Sequence, residues 1–368
     1  MSFLKYLKNE KLLLLLLFFM FLLLILNPQP VSSMWHSVDW NTIIALTGLL
    51  VISTGIKESN VLAKISIRTL KHVKTEKELS LFMIILSAVF AMFLTNDITL
   101  FIIIPLTLSL QSFLKNDIKK IIIFEALAVN AGSTLTPIGN PQNLLLWHLW
   151  GISFLGFMFQ LLWLEIIMLA VLIIFSMIVF KKNELKIVEK KHSHVDRKLS
   201  IISLILLISY VVLLELHVAK FIVVLLFIFY MLFYKRVLKE VDWFLLIIFI
   251  LMFIDVHIFS QFNFIVDAVR AMNLNNLSHV FFLSLAFSQI TSNVPAAIFV
   301  SKFSKAYLAI TYGVNIGGNG FVIGSLANII ALRMAKSKGI YMDFHKYSLA
   351  YFLITTVLGY QLLMMLYH

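Results

Sequence analysis

The feature that most limits this chain is a block of helix-breaking residues set between apolar runs long enough for a lipid bilayer. Residues 129–143 read Val-Asn-Ala-Gly-Ser-Thr-Leu-Thr-Pro-Ile-Gly-Asn-Pro-Gln-Asn. Gly132, Pro137, Gly139 and Pro141 each disfavour a continuous helix, and Asn130, Ser133, Thr134, Thr136, Asn140 and Asn143 stand among them. Backbone that lacks helical hydrogen bonds cannot face lipid, where each orphaned N–H or C=O costs several kcal/mol. It is tolerated only when buried in protein or beside a wet cavity.

The block recurs. Residues 314–328 read Val-Asn-Ile-Gly-Gly-Asn-Gly-Phe-Val-Ile-Gly-Ser-Leu-Ala-Asn, and at an offset of 185 six of the 15 positions are identical. The matches pair Asn130 with Asn315, Gly132 with Gly317, Gly139 with Gly324 and Asn143 with Asn328, besides Val129 with Val314 and Ile138 with Ile323. Seven of the 13 glycines fall in 129–143 and 313–328, too many for random scatter. Interrupted apolar segments at matching places in two halves point to a transport site.

Composition sets the class. The 368 residues are 61% hydrophobic, with mean hydropathy +0.98. This predicts an all-α polytopic membrane protein, with the lipid bilayer as its partner. With no cysteine, disulfides, thiolate metal sites and cysteine nucleophiles are excluded. The net charge of +12 lies in short loops between apolar runs, which fits membrane orientation and not nucleic acid.

Read in order, residues 1–38 hold Lys5, Lys8, Lys11, an apolar span to Leu26 and an outer loop. No small-x-small site follows, which favours a retained span over a cleaved signal peptide. Residues 39–180 form the first repeat, with a hairpin tip at 95–97 and a broken helix at 121–150. Residues 181–241 supply a basic loop and two connecting spans. Residues 242–368 form the second repeat, with a tip at 291–295 and a broken helix at 306–332. Asp-Trp opens both repeats, at Asp39-Trp40 and Asp242-Trp243. Residues 57–78 and 261–276 have amphipathic spacing, and the first reads as a helix on the inner surface.

If both hairpins are re-entrant, 26 of the 30 Lys and Arg residues lie on one side. Only Lys220, Arg270, Lys302 and Lys305 lie on the other. The positive-inside bias therefore selects a cytoplasmic N-terminus in the plasma (inner) membrane and two repeats of opposite orientation, whose tips and broken helices meet near mid-membrane.

Broken half-helices present carbonyls that suit a cation and N–H groups that suit an anion. Candidate substrate ligands are Asn96, Ser133, Thr134, Thr136, Asn140, Asn143, Asn293, Asn319 and Asn328. Candidates for a coupling Na⁺ or H⁺ are Thr95, Asn96, Asp97, Asn130, Gly132, Gly139, Ser292, Asn293, Asn315, Gly317 and Gly324. The motif glycines allow positive φ and the close approach of a ligand. The plainer readings are helix C-caps for Asn130 and Asn315, N-caps for Asn143 and Asn328, and turn formers for Asn96 and Asn293. Asp97 is the one acid at a tip, where the second repeat has Val294, and an acid at such depth points to function. Glu125 is a lesser candidate. Glu165 and Asp255 are expected to hydrogen-bond between helices, and His148, His217 and His257 to pack. Gly48 reads as an ordinary span glycine. No resident metal or cofactor is implied.

Asn96-Asp97-Ile98-Thr99 with Pro105, and Ala131 through Asn143, resemble the ion transporter superfamily. So do Ser292-Asn293-Val294-Pro295 and Gly317-Gly318-Asn319-Gly320 with Gly324, Ser325 and Asn328. The group contains ArsB-type arsenite permeases, NhaD-type Na⁺/H⁺ antiporters, citrate transporters and divalent anion/Na⁺ symporters. The resemblance covers roughly residues 39–367. It implies inverted repeats, opposed hairpins, a homodimer and an elevator-like movement. The symporters carry Ser-Asn-Thr at both tips; the Asn96-Asp97 tip is more similar to the ArsB/NhaD branch.

The expected function is a secondary transporter that moves a small anion or oxyacid with Na⁺ or H⁺ by alternating access. An arsenite/antimonite permease or Na⁺/H⁺ antiporter of the same fold is the alternative. A channel is a further reading, and two inverted, glycine-broken units favour alternating access over a static pore. An intramembrane enzyme is disfavoured, since His-Glu-x-x-His and Gly-x-Ser-Gly are both missing.

Overall fold

The computed structural model describes residues 11–38, 40–187, 195–215 and 219–367. Lys5, Lys8, Asp39 and His217 lie outside these residues, as do 188–194 of the basic loop. Every regular element described is helical, and β pairing is limited to two isolated bridges, Thr75 with Glu184 and Leu114 with Ile187.

In chain order the helices are α1 (Lys11–Leu26), α2 (Val31–Ser37), α3 (Trp40–Glu58), α4 (Val61–Leu70), α5 (Glu76–Phe93), α6 (Asn96–Gln111), α7 (Lys119–Gly132), α8 (Pro141–Trp150) and α9 (Phe154–Val179). There follow α10 (Arg197–Glu215), α11 (Ala219–Phe233), α12 (Lys235–Glu240), α13 (Trp243–Phe259), α14 (Asn263–Arg270), α15 (Leu277–Thr291), α16 (Asn293–Ser301), α17 (Tyr307–Gly317), α18 (Leu326–Ala335) and α19 (Ile340–Tyr367). By length and composition α9 and α19 can each cross a membrane, and so can α13 with α14 if that pair, bent by 71°, is one span.

The chain forms two compact units. One takes Met1–Ser59 and Asp196–Met272, the other Asn60–Val195 and Asn273–His368. Each sequence half therefore feeds both: α3 and α13 open the halves in the first unit, while the hairpins and broken helices lie in the second.

In the first unit α3 packs against α10 and α11, and α13 against α1. Tyr210 is buried, and its hydroxyl donates to the carbonyls of Ile44 (3.0 Å) and Ala45 (3.3 Å). Its ring occupies the space a Cβ on Gly48 would need. Gly48 is therefore a packing glycine, which corrects its reading as an ordinary one. Asp255 is buried, and among the described residues neither carboxylate oxygen has a hydrogen-bond partner, so the expected interhelical bond is not seen there.

In the second unit the packing comes in matched pairs. Helix α5 packs on α7 as α15 packs on α17; α9 packs on α7 as α19 packs on α17. Two partnerships cross over: α6 packs on α18, and α16 on α8. Helices α5 and α6 form a helical hairpin whose open end is closed by Asn116 Nδ2 donating to Glu76 Oε1 (2.5 Å). Helices α15 and α16 form the second, with Phe287 stacked on Phe299 at 4.5 Å. The amphipathic spacing in 57–78 appears as α4, which buries Leu62, Ser66 and Leu70 and exposes Lys64 and Arg68. Glu165 on α9 repeats the case of Asp255: it is buried, and both oxygens lack a partner among the described residues.

Candidate functional site

Local chemistry makes the two breaks. Pro141 sits at the first turn of α8, where its missing N–H costs nothing, and Asn140 before it caps the helix by accepting from the Asn143 N–H at 2.9 Å. Ser325 caps α18 in the same way, accepting from the Ala327 N–H at 3.3 Å. These two caps replace the expected ones at Asn143 and Asn328. Asn130 and Asn315 are not C-caps either. They lie inside α7 and α17, whose C-caps are Ser133 and Gly318 in right-handed geometry.

The four asparagines are thus free to bond across the breaks. Asn130 Nδ2 donates to Asn328 Oδ1 at 2.9 Å, and Asn315 Nδ2 donates to Asn143 Oδ1 at 2.7 Å. Asn130 Oδ1 accepts from the Ser325 hydroxyl (3.0 Å), and Asn315 Oδ1 accepts from Asn140 Nδ2 (3.1 Å). At the 185-residue offset these are the same two bonds made twice with partners exchanged. Each broken helix is stitched to the second half of the other.

The same side chains satisfy the loop carbonyls. Asn143 Nδ2 reaches the carbonyls of Ser133, Thr134 and Thr136 at 3.0–3.2 Å. Gly318 O accepts from Asn328 Nδ2 (2.8 Å) and Asn130 Nδ2 (3.2 Å). Ser133 and Thr134 hydroxyls turn back to Asn130 O, and Asn319 Nδ2 to Asn315 O. All of these residues are buried, and in a dry interior such a network must be fully paired to be stable. Among the described residues Asn319 Oδ1 has no partner, nor has Gln142 Oε1 at the start of α8, on a side chain only 1% exposed.

Both hairpin tips reach this centre. The Asn96 N–H donates to Gly139 O at 2.9 Å, and Thr136 donates to Met92 O at 2.9 Å. Asn293 lies against Gly318, where a Cβ would fall 3.0 Å from its Nδ2. Thr95 caps α6, and Ser292 donates to Asn293 Oδ1 at 3.3 Å. Asp97 stands apart. No hydrogen bond joins its side chain to the asparagines among the described residues, and its Oδ1 is buried without a partner. Glu125 on α7 is fully buried and accepts from Thr107 at 2.5 Å.

The motif glycines serve close approach and not positive φ, which occurs among glycines only at Gly151 and Gly339 of the described chain. A Cβ on Gly132 would strike the Ala88 backbone; one on Gly317 would lie 2.6 Å from Ser288 Cβ. Gly139 and Gly324 fold their loops onto the ends of α7 and α17, where a Cβ would press on Ser133 O and Gly317 O.

Sequence reasoning missed Gln289. On α15 it donates to Gly317 O (2.6 Å) and accepts from the Phe321 N–H (2.8 Å), binding the second loop to its hairpin. No motif marks it. A better signal existed for Ser325, which aligns with Asn140 at the repeat offset. His148 bonds within its own helix, to Leu144 O, and His257 meets Gln261 one turn on, as packing histidines do.

A family model described as citrate transporter matches residues 10–306. The chain is 36% identical over 376 residues to the inner membrane protein YbiR of Escherichia coli, covering 100% of this chain and 99% of that one. It is 37% identical over 316 residues to an uncharacterised transporter of Methanocaldococcus jannaschii, with 84% of each covered. A shorter match, 25% over 133 residues, is to a Dictyostelium discoideum chain carrying the name transporter arsB, of which 23% is covered. This integral membrane protein is a transporter and belongs to the citrate transporter family of the ion transporter superfamily.

Proposed function

We propose that the protein is a secondary active transporter that carries a small anion or oxyacid through its second unit, coupled to Na⁺ or H⁺ by alternating access. The observation that supports this most is the crossed asparagine network. Two broken helices bind each other there through equivalent side chains, and both hairpin tips meet it. Helices α8, α16 and α18 have 10, 9 and 10 residues, about 15 Å each, or half a bilayer core. Elements of that length suit re-entrant hairpins and interrupted spans in two inverted repeats. The elevator-like movement, the homodimer and the cytoplasmic N-terminus belong to the same reading.

The side chains bonded in the network are amides and hydroxyls, and no Lys or Arg occurs in 121–150 or 306–332. An anion there is held by neutral donors and half-helix dipoles, each supplying a fraction of a charge. This also favours a second reading, an uncharged oxyacid such as arsenous acid, in keeping with the arsB-named relative.

A charged substrate beside ionised Asp97 would be costly at low dielectric, so a cation neutralises that carboxylate before or with it. Proteoliposomes given labelled citrate or arsenite, with Na⁺ and pH gradients imposed separately, test the reading. One gradient should drive at least ten-fold accumulation of one of them. Asp97→Asn should keep exchange but lose accumulation. An Asn variant that concentrates substrate as the parent does would remove Asp97 as the coupling group.

A further inference from the structure

The two hairpins match in outline but are fastened differently. The first is latched. Residues 183–187 run as a strap across its open end. Leu185 N–H donates to Lys74 O, Glu76 N–H to Asn183 O, and Lys115 N–H to Lys186 O, each at 2.9 Å. Glu76 is the hub: Oε1 accepts from Asn116 and Oε2 from Asn183 at 3.1 Å. Further in, α6 is held to α7 by Thr107 and Glu125, and at the tip by Asn96 to Gly139.

The second hairpin has nothing comparable. One hydrogen bond spans its open end among the described residues, from the Ser304 hydroxyl to Leu274 O at 3.2 Å. Helix α15 is anchored, since Ser278 bonds Tyr360 of α19 at 2.8 Å and Gln289 bonds the second loop. Among the described residues no hydrogen bond ties helix α16 to another element; beyond Asn293, whose amide lies against Gly318, the buried Ala296, Ala297, Phe299 and Val300 hold it by apolar contact. Its hinge is strained. Ser292 sits at φ 79, ψ 156, a region essentially confined to glycine, whereas Thr95 at the first tip is relaxed at φ −65. Strain of this kind is found at switch elements.

We infer that α16, hinged at Ser292, is the mobile gate over the asparagine centre, and that the first hairpin is a fixed wall. Apolar contact is non-directional, so α16 can slide or lift without breaking a hydrogen bond, while α6 must lose several. This deepens the transport reading, but the motion itself requires no substrate.

Hydrogen–deuterium exchange of the full chain in lipid nanodiscs, without added ligand, tests it. Peptides covering 293–305 should exchange at least ten-fold faster than peptides covering 96–115. In Glu76→Gln with Asn116→Ala the 111–118 amides should speed up several-fold while 293–305 stay unchanged. Ser292→Gly, which relieves the hinge, should slow exchange at 293–297. Equal protection of the two arms, or faster exchange in α6, would overturn the gate assignment. A failure to transport citrate or arsenite would leave this result standing, so the two readings can fail separately.

Discussion

The two broken segments share their asparagines and differ in how their loops are closed. The first is braced chiefly from its own second half-helix, with two further bonds to its hairpin. Its link of eight residues, 133–140, contains Pro137, is followed by Pro141, and has three of its carbonyls held by Asn143. The second, rich in glycine, makes a short 3₁₀ turn at Val322–Gly324 and is closed from outside. Gln289 holds it from the hairpin, and from α19 Ser348 donates to Gly320 O at 2.8 Å. What the halves have in common is the part that touches the other half. What differs is the part each must supply to stiffen its own loop.

The largest expected effects come where helix backbones press on the motif glycines. At Gly132 the obstacle to a Cβ is the Ala88 main chain, which no side-chain change removes. At Gly317 the nearest obstacle is the Ser288 side chain. Gly132→Ala should cost about 3 kcal/mol of stability and Gly317→Ala about 2, as overpacking does. Adding Ser288→Gly should return about half the loss at Gly317, while no neighbour replacement rescues Gly132. Chemical denaturation midpoints in detergent would measure both, and a Gly317 variant deaf to Ser288→Gly would break the distinction.

Next come the asparagines. Removing one strands two or three buried partners, each unpaired group costing about 1–3 kcal/mol. The crossed bonds predict which pairs are coupled. Asn130→Ala with Asn328→Ala, and Asn315→Ala with Asn143→Ala, should be non-additive by about 1 kcal/mol or more. Asn130→Ala with Asn143→Ala should add within about 0.5 kcal/mol. Coupling that instead follows sequence proximity would mean that each break is an independent unit.

Much of this was legible because breaks write themselves locally. Glycine, proline and asparagine sit at fixed offsets, so 129–143 and 314–328 could be aligned without a structure, and the half-helices flanking each break followed. The partners of those residues were not legible. Asn130 and Asn315 looked like caps, because capping is the commonest local task of an asparagine beside a break; their bonds lie 172–198 residues away. A glycine needed for φ, for a ligand or for packing looks identical in sequence: Gly139 and Gly324 were expected to allow positive φ or a ligand's approach, whereas neither has positive φ and both press on the protein's own backbone. Gly48 looked idle because Tyr210, 162 positions on, is what fills its space. Glu165 and Asp255 were expected to bond, yet among the described residues no donor reaches either carboxylate.

The smallest effect tests the closures themselves. Gln289 is equivalent to Met92 by the spacing to the tip asparagines, four residues on at Asn293 and Asn96. In the first half the loop provides the side chain, Thr136, and the hairpin provides a carbonyl, that of Met92. In the second half the hairpin provides the side chain, Gln289, and the loop provides both a carbonyl and an N–H. Gln289→Met therefore imports the first half's residue without the threonine that makes its bond. It should cost about 1–2 kcal/mol, because Gly317 O keeps a partial set of neighbours while the Phe321 N–H turns to solvent at a half-exposed site. Thr136→Val should cost less, about 1 kcal/mol, since Asn143 still grips the loop at three carbonyls. Hydrogen exchange would separate the two: Gln289→Met should speed the amides of 318–324, and Thr136→Val should leave those of 133–140 within about two-fold of the parent. A larger loosening of the first loop than of the second would mean that Asn143 does not brace it.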